Sequence, residues 1–498
     1  MENTVPPLPG STRKPRRKKE LHSIDKRYFR SRWKSFLKQD DDGQLYVHGV
    51  SMQELERKFG TPLYIFSEEE IRSRFKRMLN VFSAYPKIRL QYPCKINSNL
   101  EVLRMAREEG CDLDASSVGE IILGLLADFE PKDISFTNLH KTEQDIFFAA
   151  QLGVRYITVD YIEEIKKIHE VGRKLGKQID IMIRINPLLE WRGYSTCMHK
   201  YGIPLDEAKE AIDIATRRSH INLCGFHFHG GYINSPKPYY EAARVLCELA
   251  GYSRQKGNRV EIIDLGGGFP RETMAKKVFQ PEQMGDRFVN HFQELLEEFG
   301  LADDPPELVF EPGKFILSAA GMGLMKVISR KYLPKDQHLV VTDGSTYGFV
   351  PDVLFDKKLQ LDVLPAERMN APRIYDYAIA GNTCDHWDII ANKRKLPKLE
   401  EDDLMMIMDI GAYSHVLASN FNNMKRAPIV LIDESGRIKL IRRRDRYSEM
   451  FAPELDVLKI ADPYELQRYY HLARKNLNKV WNGSEKMEEE HDRAGIGF

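Results

Sequence analysis

The sequence predicts an α/β fold: a (β/α)8 TIM-like barrel carrying a mainly β second domain built from both chain ends. Eight β-rich runs alternate with helical segments between about residues 86 and 314. The helical segments repeat apolar residues at the 3.6-residue period, and short alternating apolar runs flank the block on both sides. Eight strands separated by helices, over roughly the length such a barrel needs, favour it over a doubly wound open sheet.

In chain order, residues 1–43 read as a leader. Its basic run RKPRRKKE, 13–20, lies in a Pro-containing, apolar-poor segment, the composition of a solvated, disordered tail. The same run also matches a nucleic-acid or phosphate-binding arm, the less favoured reading. Residues 44–66 hold short β-like pieces such as PLYIF and are assigned to the β domain. The barrel is drawn from 67 to 318. Its strand candidates are KIRLQYPCK (87–95), CDLDASS (111–117), DISFTN (133–138), RYITVD (155–160), IDIMIRIN (179–186), NLCGFHFH (222–229), EIIDLGGG (261–268) and ELVFEPGK (307–314). The helix from Pro281 to Gly300 shows the period best. Met284, Phe288, Val289, Phe292, Leu295, Leu296 and Phe299 form one stripe, opposite Asp286, Glu294 and Glu297. Residues 319–455 return to alternating runs, HLVVTDG, LMMIMDIGAY and APIVLIDESGRIKLIRR, and complete the β domain. The segment 456–498 reads as helical and then disordered.

Composition narrows the function. The chain has 498 residues, 42% of them hydrophobic, enough for a large core. Its formal charge of +1 provides no overall field for nucleic acid or an anionic membrane. Six scattered cysteines show no metal-ligand spacing and suit reduced thiols, and no run of eighteen apolar residues occurs. The expectation is a cytoplasmic protein.

Chemistry in such barrels collects at the carboxyl ends of the strands. Those ends carry Lys95, Asp114, Asn138, Arg184, His229, Gly266 to Gly268 and Glu311. One of them alone would pass for a satisfied core polar group; seven in register call for a ligand. The glycines let backbone N–H groups approach a phosphate. Lys95, with its pKa expected to fall through desolvation and the neighbouring Arg184, is placed to condense with an aldehyde. Glu311, ending an apolar strand, needs a cationic nitrogen, and His229 offers a flat ring for stacking. An aldehyde, a phosphate and a protonatable ring nitrogen together describe pyridoxal 5′-phosphate.

Six ordered motifs resemble those of the fold-type III pyridoxal-phosphate decarboxylases, the group that includes diaminopimelate and ornithine decarboxylases. They are YPCKINSN, HFHGG, DLGGGFP, EPGK, GNTCDHWD (381–388) and DIGAYSHVLASNFN (409–422). The resemblance implies that Lys95 binds the cofactor's aldehyde, His229 stacks on its ring and Glu311 pairs with the ring nitrogen. It further implies that Gly266, Gly267, Gly268 and Tyr413 surround the phosphate, and that Asp114, Arg184 and Lys314 line the cofactor. Cys384 would return a proton after carbon dioxide leaves, and Asp385 would bind the far amine of an amino-acid substrate. In the family these two come from a partner subunit, so an obligate homodimer with shared sites is implied.

Departures bear on the substrate. Lys314 stands where the family usually has arginine, Tyr232 where serine is common and Phe355 where tyrosine is frequent. No arginine lies near Pro351, where diaminopimelate decarboxylases carry one for the distal carboxylate. Asp356 and Asp385 together favour a distal ammonium; a solvated turn before Lys357 and Lys358 is the plain alternative for Asp356. The expectation is decarboxylation of an amino acid with a distal amine, with ornithine, lysine, diaminopimelate and a larger intermediate all open as the substrate. An amino-acid racemase on the same barrel, which favours a less acidic partner for the ring nitrogen, and an inactive cofactor-binding regulator are the alternatives.

Overall fold

The computed structural model describes residues 20–24, 36–191, 194–195, 200–271, 279–334, 337–355 and 359–460, with 464, 467, 468 and 471. Eight parallel strands close on themselves: β1 (Ile88–Pro93), β2 (Asp112–Ala115), β3 (Ile134–Thr137), β4 (Tyr156–Val159), β5 (Ile179–Asn186), β6 (Ile221–His227), β7 (Ile262–Asp264) and β8 (Glu307–Phe310). Each pairs with the next, and β8 returns to β1 with Leu308 opposite Ile88 and Phe310 opposite Leu90. The expected barrel is thus present, and every strand candidate contributes one of its staves.

Local chemistry explains where the strands give way to helices. After β1, the Asn99 side chain accepts the Glu101 N–H at the start of helix Leu100–Glu108. Ser117 caps helix Val118–Leu126 in the same manner, and Thr142 with Asp145 forms a capping box on Glu143–Leu152. The helix Gly285–Glu298 buries Phe288, Val289, Phe292, Leu295 and Leu296, the stripe its sequence period marks out. Inside the barrel, Tyr156, Met182, Cys224, Ile262 and Val309 from five successive strands form a small cluster of their own. That layer of the barrel interior is therefore filled by packed side chains.

The second domain is a nine-stranded sheet whose longest member, Gly321–Leu333, pairs with Leu63–Ser67, Leu404–Ile407 and Gln337–Thr342. The strand Leu63–Ser67 also lies parallel to Ile429–Ile432, so a segment preceding the barrel is inserted among strands that follow it. Period-two alternation lets that inserted strand serve two cores. Tyr64 and Phe66 join the cluster shared with the barrel, whereas Leu63 and Ile65 join Met322, Leu324, Met406 and Val430. The Tyr64 hydroxyl donates to the carbonyl of Phe349 at 2.6 Å.

The leader expected to run to residue 43 gives way earlier. Leu37–Gln39 pairs with Leu45–Val47, because Leu37 is a buried apolar residue of the second core. The basic run 13–20 lies outside the described residues except for Glu20. Among the described residues, no helix is long and apolar enough to cross a membrane.

Candidate active site

Lys95 sits in a single 3-10 turn, Cys94–Ile96, directly after β1. Its Nζ lies 2.8 Å from Oδ2 of Asp114, a fully buried residue of β2. Burial opposes the charge on Lys95, but Asp114, Glu311 and Tyr413 outweigh it and hold the amine above the ordinary lysine range. The expected fall in its pKa is thereby overturned. Arg184 does not act as the controlling neighbour, since its guanidinium faces Asp160 at 3.5 Å and stacks 4.5 Å from the ring centre of Tyr201.

Glu311 follows β8 and is buried, and its backbone N–H donates to the carbonyl of Gly266 at 2.9 Å. Two ring nitrogens approach its carboxylate: Nε2 of His227 at 3.3 Å and Nδ1 of His229 at 3.8 Å. Burial pushes the imidazole of His229 down to about 3, so it presents a neutral ring. Its Nδ1 accepts the Gly267 N–H at 2.9 Å, and the Gly266 N–H goes to Oδ1 of Asp264 at 2.7 Å.

The glycine run is sterically required. A Cβ at Gly266 would lie 2.2 Å from the carbonyl oxygen of Phe228, and one at Gly267 would lie 2.5 Å from that of Glu311. Gly266 and Gly268 also have φ values of 63° and 100°.

Tyr413 arrives from the β domain. It adopts φ 65°, and its N–H donates to the carbonyl of Ile96, the residue after Lys95, at 2.8 Å. Burial raises its hydroxyl to about 12. The ammonium of Lys314 lies 3.8 Å from the ring centre of Tyr232 and 5.2 Å from that of Tyr413. The structure thus gathers Lys95, Asp114, His229, Gly266 to Gly268, Glu311, Lys314 and Tyr413 at one mouth of the barrel, with Arg184 one strand away. Asn138 stays apart; its carbonyl accepts the buried ammonium of Lys141 at 2.8 Å.

Cys384 and Asp385 form a second group. The exposed Cys384 accepts a contact from Nδ2 of Asn422 at 3.4 Å. Asp385 accepts the Tyr347 hydroxyl at 2.6 Å and the Trp387 N–H at 2.9 Å, and these two donors keep its carboxyl below the usual range. Among the described residues, none of their hydrogen bonds or ion pairs reaches the Lys95 cluster. Asp356 lies outside the described residues.

Residue types alone did not single out His227, Asp264 or the buried pair Lys141 and Glu164. His227 was within reach, since GFHFHGG places it two residues before His229 and so on the same face of its strand. Nothing local in the sequence foretells the pair of Lys141 with Glu164, 3.1 Å apart and fully buried, because the partners meet only in the fold.

The cluster has features that fit pyridoxal phosphate. Oδ1 of Asp114 and Oε1 of Glu311 are buried without hydrogen-bond partners, as sites awaiting a cationic group would be. Residues 68–318 match the family described as the pyridoxal-dependent decarboxylase, pyridoxal binding domain. The diaminopimelate decarboxylase of Methanothermobacter thermautotrophicus is 31% identical over 426 residues, spanning 82% of this chain and 95% of the relative. That of Pseudomonas aeruginosa is 30% identical over 421 residues, spanning 83% and 97%. The crystal structure of diaminopimelate decarboxylase from M. jannaschii in complex with L-lysine superposes with a TM-score of 0.77 at 26% identity, over 85% of this chain and 98% of that one. By barrel, site and descent, the chain belongs to the fold-type III amino-acid decarboxylases that depend on pyridoxal 5′-phosphate.

Proposed function

We propose that this decarboxylase acts on a small α-amino acid bearing a distal amine, with Lys95 as the residue that joins the cofactor's aldehyde carbon. The observation carrying this reading is the contact of Lys95 with Asp114 beside the buried, partner-seeking oxygen of Glu311. The cofactor, when bound, supplies an electron sink for the pair left behind by carbon dioxide.

The chain's own residues supply the rest. Asp114 holds a proton on Lys95 until the cofactor arrives, after which that amine must shed it to become a nucleophile. Glu311 would keep a proton on the cofactor's ring nitrogen, and His229 would offer it a neutral ring for stacking. Gly268, Lys314 and Tyr413 lie where a phosphate would be held. The thiol of Cys384 would deliver the proton to the carbon that has lost carbon dioxide.

Asp385 supports an amine at the far end of the substrate, since its two donors favour an ionised carboxylate there. A distal carboxylate has less support. Val350 is buried in the stretch that lacks the family's arginine, and the guanidinium of Arg271 pairs with Asp352 through Nη2 while its Nη1 stays buried without a hydrogen-bond partner, the one donor this stretch offers to a distal carboxylate among the described residues. The relatives named above are diaminopimelate decarboxylases, which keeps that substrate in the comparison, and the L-lysine in the M. jannaschii structure, which carries an amine and a carboxylate on one carbon, is compatible with either kind of distal end.

A second copy of the chain would complete the site. This reading rests on Cys384 and Asp385 being separate from the Lys95 cluster within one chain. The described cysteines are all unpaired, consistent with a reducing, cytoplasmic setting.

The test is carbon dioxide release from the purified protein with pyridoxal phosphate, across ornithine, lysine, arginine and both enantiomers of diaminopimelate. Release from a monocarboxylic diamino acid is the expected result. Release from diaminopimelate alone would show that a cation other than the missing arginine receives a distal carboxylate beside the distal amine, and release from none would refute a small-substrate enzyme.

A further inference from the structure

His227, Asp264 and Glu311 each offer an atom such that all three lie within 4.8 Å of one another, and all three side chains are buried. They come from three adjacent strand ends: His227 closes β6, Asp264 closes β7, and Glu311 follows β8. Nothing in the function proposed above uses the first two. We propose that His227 and Asp264 are positioning residues for Glu311, holding it as the single carboxylate that faces the ring nitrogen of the bound cofactor. The inference rests on the reading of Glu311 as that nitrogen's partner.

Two buried carboxyl groups this close cannot both ionise without a cation between them. His227 cannot be that cation. Burial and the neighbouring Arg184 drive its imidazole well below the ordinary histidine range. Burial first, then Glu311, drives the carboxyl of Asp264 well above the ordinary range. Asp264 is therefore the one of the pair that keeps a proton, and the Oε1 of Glu311, buried without a hydrogen-bond partner, is the oxygen left to receive a cationic ligand. The other charged and titratable groups facing the trio are Lys95, Asp114, Arg184 and His229, from the ends of β1, β2, β5 and β6, with the hydroxyls of Tyr156 on β4 and Tyr413 from the β domain. Lys95 and Asp114 pair with each other and Arg184 faces Asp160, so none of these supplies Glu311 with a committed cation.

Geometry carries the second half. Nε2 of His227 lies 3.3 Å from Oε1 of Glu311, the oxygen without a hydrogen-bond partner, and both nitrogens of His227 are likewise unpartnered and buried. A neutral imidazole has one N–H to give. Placed on Nε2, it is already within reach of the Glu311 carboxylate and lacks only alignment, which a turn of the imidazole or of the carboxylate supplies. Asp264 is fixed by the Gly266 N–H, and Gly266 in turn accepts the backbone N–H of Glu311, so the three residues share one backbone frame.

The experiment measures binding of pyridoxal 5′-phosphate, and of its analogue with a C–H in place of the ring nitrogen, to the full chain stripped of cofactor. The native chain should prefer the nitrogen-bearing form. His227→Leu should shrink that preference about tenfold, the scale of one charge-assisted hydrogen bond. His227→Gln, which keeps an N–H near the position of Nε2, and Asp264→Asn, which makes the neutral state permanent, should retain it. If His227→Leu does not fold, His227→Asn, whose amide falls short of Glu311, is read in its place with the same expectation. An unchanged preference, or equal weakening of both ligands, would overturn the inference, because a packing role affects both alike. A native chain without preference would overturn the reading of Glu311 itself, a failure distinguishable from one confined to the variants.

Discussion

Asp114 determines what Lys95 is before any ligand arrives. With its carboxylate 2.8 Å away and wholly buried, the lysine rests as an ammonium, and the apolar surroundings that would otherwise strip its proton are overruled. The strand-end lysine was legible in YPCKINSN, but the sign of its shift was not, because the sequence did not show which charged neighbour would stand closest. Asp114, Glu311 and His229 were legible for the same reason as Lys95, since all lie at or just past strand ends. His227 was less legible because it closes its strand two residues before His229, inside an apolar run where a histidine reads as a core residue. At this scale the account expects Cys384→Ala to bind cofactor as the native chain does, yet to release carbon dioxide about a hundredfold more slowly, the typical worth of a placed proton donor. Parallel absorbance titration and carbon dioxide measurement check it; equal loss of cofactor binding would point to a structural role instead.

Among the elements, the loop that carries Cys384 and Asp385 depends on a residue outside the proposed chemistry. Asp388 is buried and accepts four hydrogen bonds: from the N–H and hydroxyl of Thr346 at 2.7 and 2.9 Å, and from those of Thr383 at 3.0 and 2.7 Å. It thereby ties the 383–388 loop to the turn before Tyr347, whose hydroxyl holds Asp385. Removing it strands the two buried donors of Thr346 and the two half-buried donors of Thr383, so Asp388→Ala should lose about 3 kcal/mol of stability, and Asp388→Asn less. Urea unfolding of the two variants measures the difference; equal and negligible losses would show the network to be redundant. The barrel's strands and helices were readable because period and caps are local properties. The placement of Leu63–Ser67 between strands from the far end of the chain was readable only as a pattern of two flanking β regions. Its register depends on which side chains fill two cores at once.

For the whole molecule, the separation of Cys384 from the Lys95 cluster carries the prediction. If two copies share their sites head to tail, mixing inactive Lys95→Ala with inactive Cys384→Ala protein under exchanging conditions should restore activity to about a quarter of the native level, since half of the dimers then hold one intact site. Persistent inactivity, with exchange shown by mass, would assign both residues to one chain. All of this presupposes that Lys95 is the residue joined to the cofactor, and one measurement addresses that directly. The loaded protein is reduced with borohydride, digested and mapped by mass. The account predicts the phosphopyridoxyl mass on the peptide that contains Lys95 and on no other; a label on a different lysine, or none on a protein that has bound its cofactor, would contradict it.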